Sequence, residues 1–347
     1  MKAGGLGRLR RAAGRLSGRS HGRVLILLYH RVAKLKSDPW GMAVTPGRFE
    51  EHLRVLREYT RPMRLGELTQ ALRDGRVPDR SVVVTFDDGY ADNLHNARPL
   101  LERHGVPATV FVASGFVGRK REFWWDELVR LLLRPGTLPD RLSLSVDGDT
   151  HQWELGEAAH YTVEEFRRHR GWRAWKRSPT PRQHLYIALC DLLRPASEEE
   201  RQRALNELRR SVVAAPDRRP YHRPLSPGEV GELHQGGLVE VGAHTVTHPI
   251  LSALPAVSQR REIAKSKARL EQILGHPVTS FAYPYGKPWD YDAQTVDIVR
   301  QAGFACACST IADVAGKSSD PFQLPRVWAR NWSGDGLAKQ LGRWFEG

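Results

Sequence analysis

Short apolar runs rich in β-branched residues alternate along the chain with stretches in which apolar positions recur every three or four residues. The runs are 24–29 (VLILLY), 82–86, 108–113, 239–243, 279–283, 304–308 and 324–329. Their length and near-continuous apolarity fit strands covered on both faces, so seven strands are expected. Helical spacing fills several of the gaps. Phe49, Leu53 and Leu56 follow a Thr45-Pro46 start, Tyr90, Leu94, Ala97 and Leu101 precede Gly105, and Ile263, Leu270 and Ile273 precede Gly275. Thr and Pro suit a helix N-terminus, and Gly suits the left-handed residue that ends one. Strand and helix in alternation predict parallel strands, in an α/β barrel or an open sheet.

Between about residues 118 and 221 this rhythm gives way to Trp-rich and charged segments, read as an insertion. One helix is expected there. It opens at Ser197 with Glu200 in capping-box position and carries Ala204, Leu205, Leu208 and Val212 on one side. Trp124, Trp125, Trp153, Trp172 and Trp175 either offer faces on which pyranose rings stack or form the insertion's own small core. The expected organisation is a basic leader (1–23), a domain spanning 24–330 that is interrupted by 118–221, and a C-terminal tail (331–347).

Composition adds a soluble, globular character: 347 residues, 40% apolar and 27% charged. The net charge of +14 raises the question of nucleic acid, but residues 1–23 alone hold seven Lys/Arg and no acid, half of that excess. The cluster is Gly-rich and lacks base-stacking aromatics, so no nucleic-acid partner is expected. No apolar run of signal-peptide length follows the leader, and no window approaches a membrane span, so a cytoplasmic address is the expectation. The leader itself is either a solvated tail or a peripheral contact with the inner, anionic face of the membrane. Cys190, Cys306 and Cys308 are odd in number and form no CxxC pair, which argues against disulfides and thiolate zinc sites. Cys306 and Cys308 read as core residues on one face of a strand.

Three strand ends carry candidate chemistry. The run SVVVTF leads into Asp87-Asp88-Gly89, and ligand sites of α/β folds gather at the C-terminal ends of strands. Adjacent carboxylates repel unless a cation or proton intervenes, so a metal is one reading; an acidic helix N-terminus is the other. The run VEVGA leads into His244-Thr245-Val246-Thr247-His248. Two histidines four apart can converge on one ion if the chain turns helically after the strand. One carboxylate and two imidazoles leave positions open for water and substrate, as a catalytic metal requires. The third run ends in Tyr283-Pro284-Tyr285-Gly286, a tight loop able to present backbone N–H groups to an oxyanion, or a plain turn.

With TFDDGY at 85–90, HTVTHP at 244–249 and FAYPYG at 281–286 in this order, the sequence resembles the polysaccharide deacetylases with a NodB-homology domain, carbohydrate esterase family 4. The resemblance covers roughly 24–117 and 225–330. It implies a distorted (β/α) barrel of about seven parallel strands, here with a largely helical insertion. It also implies a hydrolase that removes acetyl groups from N-acetylhexosamine residues of a glycan or glycan intermediate. Asp87 would be the general base, Asp88, His244 and His248 would hold a divalent metal, commonly zinc, and the backbone N–H of Tyr285 would help bind the oxyanion.

The family's late catalytic histidine has no counterpart, since no histidine follows His276. The segment LYHRV at 28–32 resembles that of a branch related to biofilm poly-N-acetylglucosamine deacetylases, which implies His30 as the acid; a buried, hydrogen-bonded histidine is the alternative. The arginine that often steadies the base before the PYG loop is also missing. Arg326, on the last run, is either its replacement or a surface residue. Trp289 and Asp290 follow the loop at what would be its rim. A catalytically silent carbohydrate-binding relative stays open as a second reading, although no ligand or base residue is lost. The expected partner is an N-acetylated oligo- or polysaccharide, lipid-linked or nucleotide-linked rather than finished peptidoglycan or chitin.

Overall fold

Each of the seven apolar runs contributes a parallel strand to one curled sheet: β1 (Val24–Tyr29), β2 (Ser81–Phe86), β3 (Ala108–Val112), β4 (Val239–Ala243), β5 (Ser280–Ala282), β6 (Cys306–Cys308) and β7 (Val327–Trp328). The computed structural model describes residues 22–214, 219 and 222–346, so all but the end of the basic leader lies outside the described residues. Spatial order is β6-β5-β4-β3-β2-β1-β7. The final run then closes the curl. Leu324 forms a parallel bridge with Cys308 at one edge, while Val327 and Trp328 pair with Leu27 and Leu28 at the other. The result is the expected distorted (β/α) barrel, with one short addition, Arg61–Pro62, beside the start of β2.

Strand alternation explains which side chains meet inside. Leu25, Leu27, Tyr29, Val82, Val84 and Phe86 face the surrounding helices and share a core with Phe49, Leu53 and Leu56 of the helix Pro46–Tyr59. Val24, Ile26, Val83, Phe111, Ala282, Cys306 and Cys308 point the other way and pack on one another. Period two carries the same inward face from Ile26 to His30 and from Val83 to Asp87. Register does the rest, since Tyr29 pairs with Phe86, Ala243 with Val112 and Phe281, and Leu28 with Trp328. All the chemically interesting loops therefore leave the same end of the barrel.

The helices depart from expectation in instructive ways. Thr45 precedes Pro46–Tyr59 without making a side-chain cap bond. The stretch before Gly105 begins as a π-helical turn, Asn93–Ala97, before Arg98–His104. Residues 331–347, read as a tail, contain a helix, Gly334–Glu346, that buries Leu337, Leu341 and Phe345 in the main core. Their spacing of four is the helical signal behind this. No helix among the described residues is long and apolar enough to cross a membrane.

The insertion has its own core, built from Trp124–Leu132, Pro181–Leu193 and Glu198–Ser211 together with an antiparallel hairpin, Arg141–Val146 and Asp149–Glu154. The hairpin was not expected, yet RLSLSV alternates buried and exposed positions and Asp147-Gly148 forms its turn. Ser197 caps its helix as expected, accepting the Glu200 N–H at 3.1 Å. The reciprocal half of the capping box does not form, because the Glu200 carboxylate turns to Arg203.

Gly242 of β4 shows how tight the inner face is. A Cβ there would lie 2.4 Å from the Phe111 ring and 2.7 Å from Ser280 Oγ. Gly242→Ala is expected to destabilise the fold by about 1–3 kcal/mol through overpacking, seen as a lower urea midpoint at unchanged slope.

Candidate active site

Asp87 leaves β2 with its N–H bonded to Tyr29 O (3.0 Å), and its carboxylate meets Arg326 in a two-pronged pair. Arg326 Nη1 donates to Oδ1 at 2.7 Å and Nη2 to Oδ2 at 2.8 Å, with both side chains buried. The guanidinium is fixed in turn by Ser309 O (2.7 Å) and Thr85 Oγ1 (3.2 Å). Burial alone would push the Asp87 pKa up; Arg326, and then His244, hold it below the ordinary carboxylate range. Asp87 is thus an ionised carboxylate inside a pocket. Of the two readings open for Arg326, the structure supports the partner of Asp87 over a surface residue.

Asp88 and Gly89 both adopt positive φ, +75° and +80°, so the chain turns sharply after Asp87 and sends the second carboxylate elsewhere. It meets His244 and His248. Their Nε2 atoms lie 3.7 and 3.4 Å from Asp88 Oδ1, and the three side chains offer ligand atoms all within 4.8 Å of one another. Donor atoms bound at roughly 2.0–2.1 Å to one tetrahedral ion sit roughly 3.3–3.5 Å apart, so the trio fits such an ion after small adjustment. The protonation states fit as well. His244 Nδ1 donates to Ala282 O at 2.7 Å, which leaves Nε2 as the free lone pair. Burial pushes both imidazoles toward the neutral form, the form that ligates. Burial and the neighbouring Asp87 push Asp88 upward, as expected for a carboxylate that lacks a countercharge.

The two histidines do not converge by a helical turn. Instead Thr245 and His248 take left-handed conformations, φ +61° and +56°. Glu262, on the helix Ala256–Leu274, accepts the N–H groups of Val246 and Thr247, each at 2.8 Å, and the Thr247 hydroxyl at 3.0 Å. Arg201 of the insertion donates to Thr247 O at 3.1 Å. Of the six non-glycine residues with positive φ among the described residues, Asp88, Thr245, His248 and Tyr285 belong to this site. Such concentration of backbone strain marks a place where function dictates conformation.

Tyr285, at φ +60°, tops the third loop; its O accepts from the Thr310 hydroxyl at 2.6 Å, and Gly286 O accepts from Thr310 N at 2.9 Å. The Tyr285 ring lies 4.7 Å from that of His248. Above it sits the Arg194 guanidinium, 4.1 Å from the ring centre, which also donates to Asp290 Oδ1 at 2.9 Å. Asp290 is therefore a buried brace of the loop, while Trp289 is exposed beside it.

These groups surround a pocket of about 360 Å³ whose walls include His30, Asp87, Asp88, His244, His248, Tyr285, Trp40, Trp124, Trp125 and Trp328. His30 stacks at 4.8 Å on Trp328, with Nδ1 buried and unpartnered among the described residues. The hydrogen-bonded alternative for this ring nitrogen is thus not met. Burial pushes the His30 pKa down to about 4, against the upward pull of Asp87. The tryptophans divide between the two readings. Trp124 and Trp125 are buried in the insertion's core and also line the pocket, Trp153 and Trp172 pack against that core, and Trp175 is exposed. Trp40, Glu262 and Arg194 were not anticipated. Each stands outside the strand-end motifs, and no local sequence signal distinguishes it from a surface residue.

Buried polar contacts tie the insertion to the barrel around this pocket. Trp125 Nε1 donates to Tyr90 OH and Tyr90 OH to Asp126, both at 2.7 Å. Arg31 donates to Asp92 at 2.9 Å and to Asp126 at 3.3 Å. The insertion thus forms one wall of the pocket.

Comparison with known proteins gives a consistent picture. The family model described as Polysaccharide deacetylase matches residues 74–139 and 202–307, taking in all three strand-end motifs and breaking within the insertion. His30 and Arg326 fall outside the matched residues. The Bacillus subtilis (strain 168) protein YxkH is 29% identical over 138 residues, 39% of this chain and 48% of its own length. The poly-beta-1,6-N-acetyl-D-glucosamine N-deacetylase of Staphylococcus aureus (strain MSSA476) is 29% identical over 109 residues, 28% of this chain and 38% of its own length. The chain thus spans less than half the length of these curated relatives. The structure of IcaB from Ammonifex degensii has the same fold, with a TM-score of 0.57 at 20% identity over 92% of this chain and 97% of that one.

Arg326→Gln is expected to raise the Asp87 pKa, because burial then acts unopposed by the guanidinium. A carboxylate titration followed by infrared difference spectroscopy measures this directly, and an unmoved Asp87 would contradict the account of the pair.

Proposed function

This chain belongs to the polysaccharide deacetylase family, and we propose that it hydrolyses the N-acetyl amide of N-acetylhexosamine residues in a glycan or glycan intermediate, releasing acetate and a free amino sugar. The observation that carries this reading is the separation of two adjacent carboxylates into two roles. Asp88 joins His244 and His248, whereas Asp87 is ionised and held by Arg326 in the same pocket.

A divalent metal, which we propose to be zinc from the oxygen-nitrogen-nitrogen donor set, would be held by Asp88, His244 and His248 and would supply a Lewis acid for the amide carbonyl and for water. Asp87 accepts the proton of the attacking water, and Arg326 keeps it ionised for that step. The Tyr285 N–H is assigned to the developing oxyanion; Thr310 holds the peptide that follows through Tyr285 O, and the left-handed φ of Tyr285 sets the N–H direction relative to it. His30 is assigned to protonating the leaving nitrogen. Its imidazole rests neutral at ordinary pH, so it must gain its proton within the cycle, and Asp87 is the neighbour whose charge favours this. The tryptophans of the pocket suit the apolar faces of pyranose rings.

Purified protein is expected to release acetate from N-acetylhexosamine oligomers only with a divalent metal present. Asp87→Asn should abolish turnover while the metal stays bound, as read by metal analysis after gel filtration. Acetate release that persists in the His244→Ala/His248→Ala double variant would sink the assignment, and oligomer binding without acetate release would favour a silent binding relative. For His30→Ala, kcat is expected to fall about 10²–10⁴-fold with metal content unchanged; an unaltered kcat would move the acid elsewhere.

A further inference from the structure

Residues 167–177 of the insertion, RRHRGWRAWKR, hold six Lys/Arg, two Trp and no acid. Arg167, Arg168, Arg170, Lys176 and Arg177 are exposed, and none of them enters an ion pair among the described residues. Ion pairs do form at other exposed arginines, such as Arg141 with Glu154 and Arg300 with Asp297; what sets this segment apart is that its cations are contiguous and no acid lies among them. The nearest preceding acids in the chain are Glu164 and Glu165, and Glu165 is committed to capping the helix Val163–His169. An uncompensated cluster of this kind is costly to assemble by self-repulsion and attracts an anionic surface.

The segment is not a loose arm. Trp172 packs edge-on against Tyr186 at 6.2 Å and donates Nε1–H to Arg177 O at 3.1 Å. Arg173 donates to Asp38 O and Ala174 N to Pro39 O, both at 2.9 Å, which anchors the segment on the loop that carries Trp40. Trp175, in contrast, is 58% exposed. Its covered face meets the Arg330 guanidinium, 5.3 Å from the ring centre, and that same guanidinium lies 3.9 Å from the Trp328 ring of the pocket wall. The cluster is therefore one side chain away from the pocket. A second exposed tryptophan, Trp289 at 70%, borders the pocket on its Tyr285 side.

We propose that residues 167–177 form a docking surface for an anionic lipid bilayer, which brings the mouth of the pocket to the membrane surface. Basic residues near a bilayer are drawn to acidic headgroups, and tryptophan favours the headgroup level because its ring is apolar and its N–H polar. The segment holds five exposed cations and a single exposed ring, Trp175. Binding of single-stranded nucleic acid relies on successive aromatic platforms, so this pattern fits a planar headgroup array better. The proposal is independent of the deacetylase reading, because it concerns where the pocket is held and not what happens in it.

The test uses the full chain with the leader's seven Lys/Arg replaced by Gln, so that the leader does not mask the folded surface. Co-sedimentation is measured with vesicles of phosphatidylcholine containing about 30% phosphatidylserine, and with phosphatidylcholine alone. The leader-neutral chain is expected to bind the anionic vesicles in a salt-sensitive manner. Adding Arg167→Gln, Arg168→Gln, Arg170→Gln, Lys176→Gln and Arg177→Gln should weaken that binding about tenfold or more. Trp175→Ser alone should weaken it without altering its salt dependence, and circular dichroism of both variants should match the parent. Equal binding to both vesicle types, or binding unchanged by the five substitutions, would overturn the proposal. So would single-stranded DNA binding that depends on the same five residues while the anionic vesicles stay unbound.

Discussion

The ion pair between Asp87 and Arg326 is the constraint around which the rest of the site is arranged. A carboxylate that must be ionised to accept a proton cannot sit in a buried pocket alone, because desolvation favours its neutral form. Here the guanidinium arrives in fork geometry, with both carboxylate oxygens engaged, and is itself bonded to Ser309 O and Thr85 Oγ1. Arg326 lies on the run that closes the barrel, between the Leu324 bridge to β6 and the Val327–Trp328 pairing with β1. Closure of the sheet and charge compensation of Asp87 are therefore one structural event. With Asp87 compensated by Arg326, the neighbouring carboxylate is available to a cation, and the left-handed turn at Asp88 directs it to the two histidines.

Much of this was legible in the sequence. Continuous apolar runs marked all seven barrel strands, and the residues directly after them marked the site, because parallel strands release their chemistry at one end. The alternation of Val83, Thr85 and Asp87 was enough to point the first carboxylate inward once the strand was recognised. What stayed hidden depended on contacts far apart in the chain. Glu262 holds the histidine turn from a helix whose sequence shows only ordinary amphipathic spacing. Arg194 and Trp40 reach the pocket from segments with no strand-end signature. The means of bringing His244 and His248 together was also beyond pattern reading. Spacing of four evokes a helical turn, but the protein uses two left-handed residues and a carboxylate bracket.

The insertion forms a wall of the pocket as well as a small core of its own. Its aromatic residues did not act as a single set: Trp124 and Trp125 serve both the local core and the pocket wall, Trp153 and Trp172 pack only on the core, and Trp175 meets solvent. A count of tryptophans could not sort them, because all three environments favour the same residue type. Polar anchoring decided the matter. Trp125 is locked through Tyr90 and Asp126, and Arg201 reaches across to the histidine loop. The aromatic wall of the pocket and the turn that carries His244 and His248 are consequently coupled through the same inserted segment.

Asp87 and Arg326 are 239 positions apart in the chain. A ribosome makes the carboxylate long before it makes its countercharge, and the barrel stays open at one edge throughout that interval. An emerging chain contains Asp88, His244 and His248 well before Arg326 exists, and its Asp87 then has no guanidinium partner. The countercharge of Asp87 is thus among the last features the growing polypeptide acquires, and a chain ending before Arg326 would carry Asp88, His244 and His248 without the partner of Asp87.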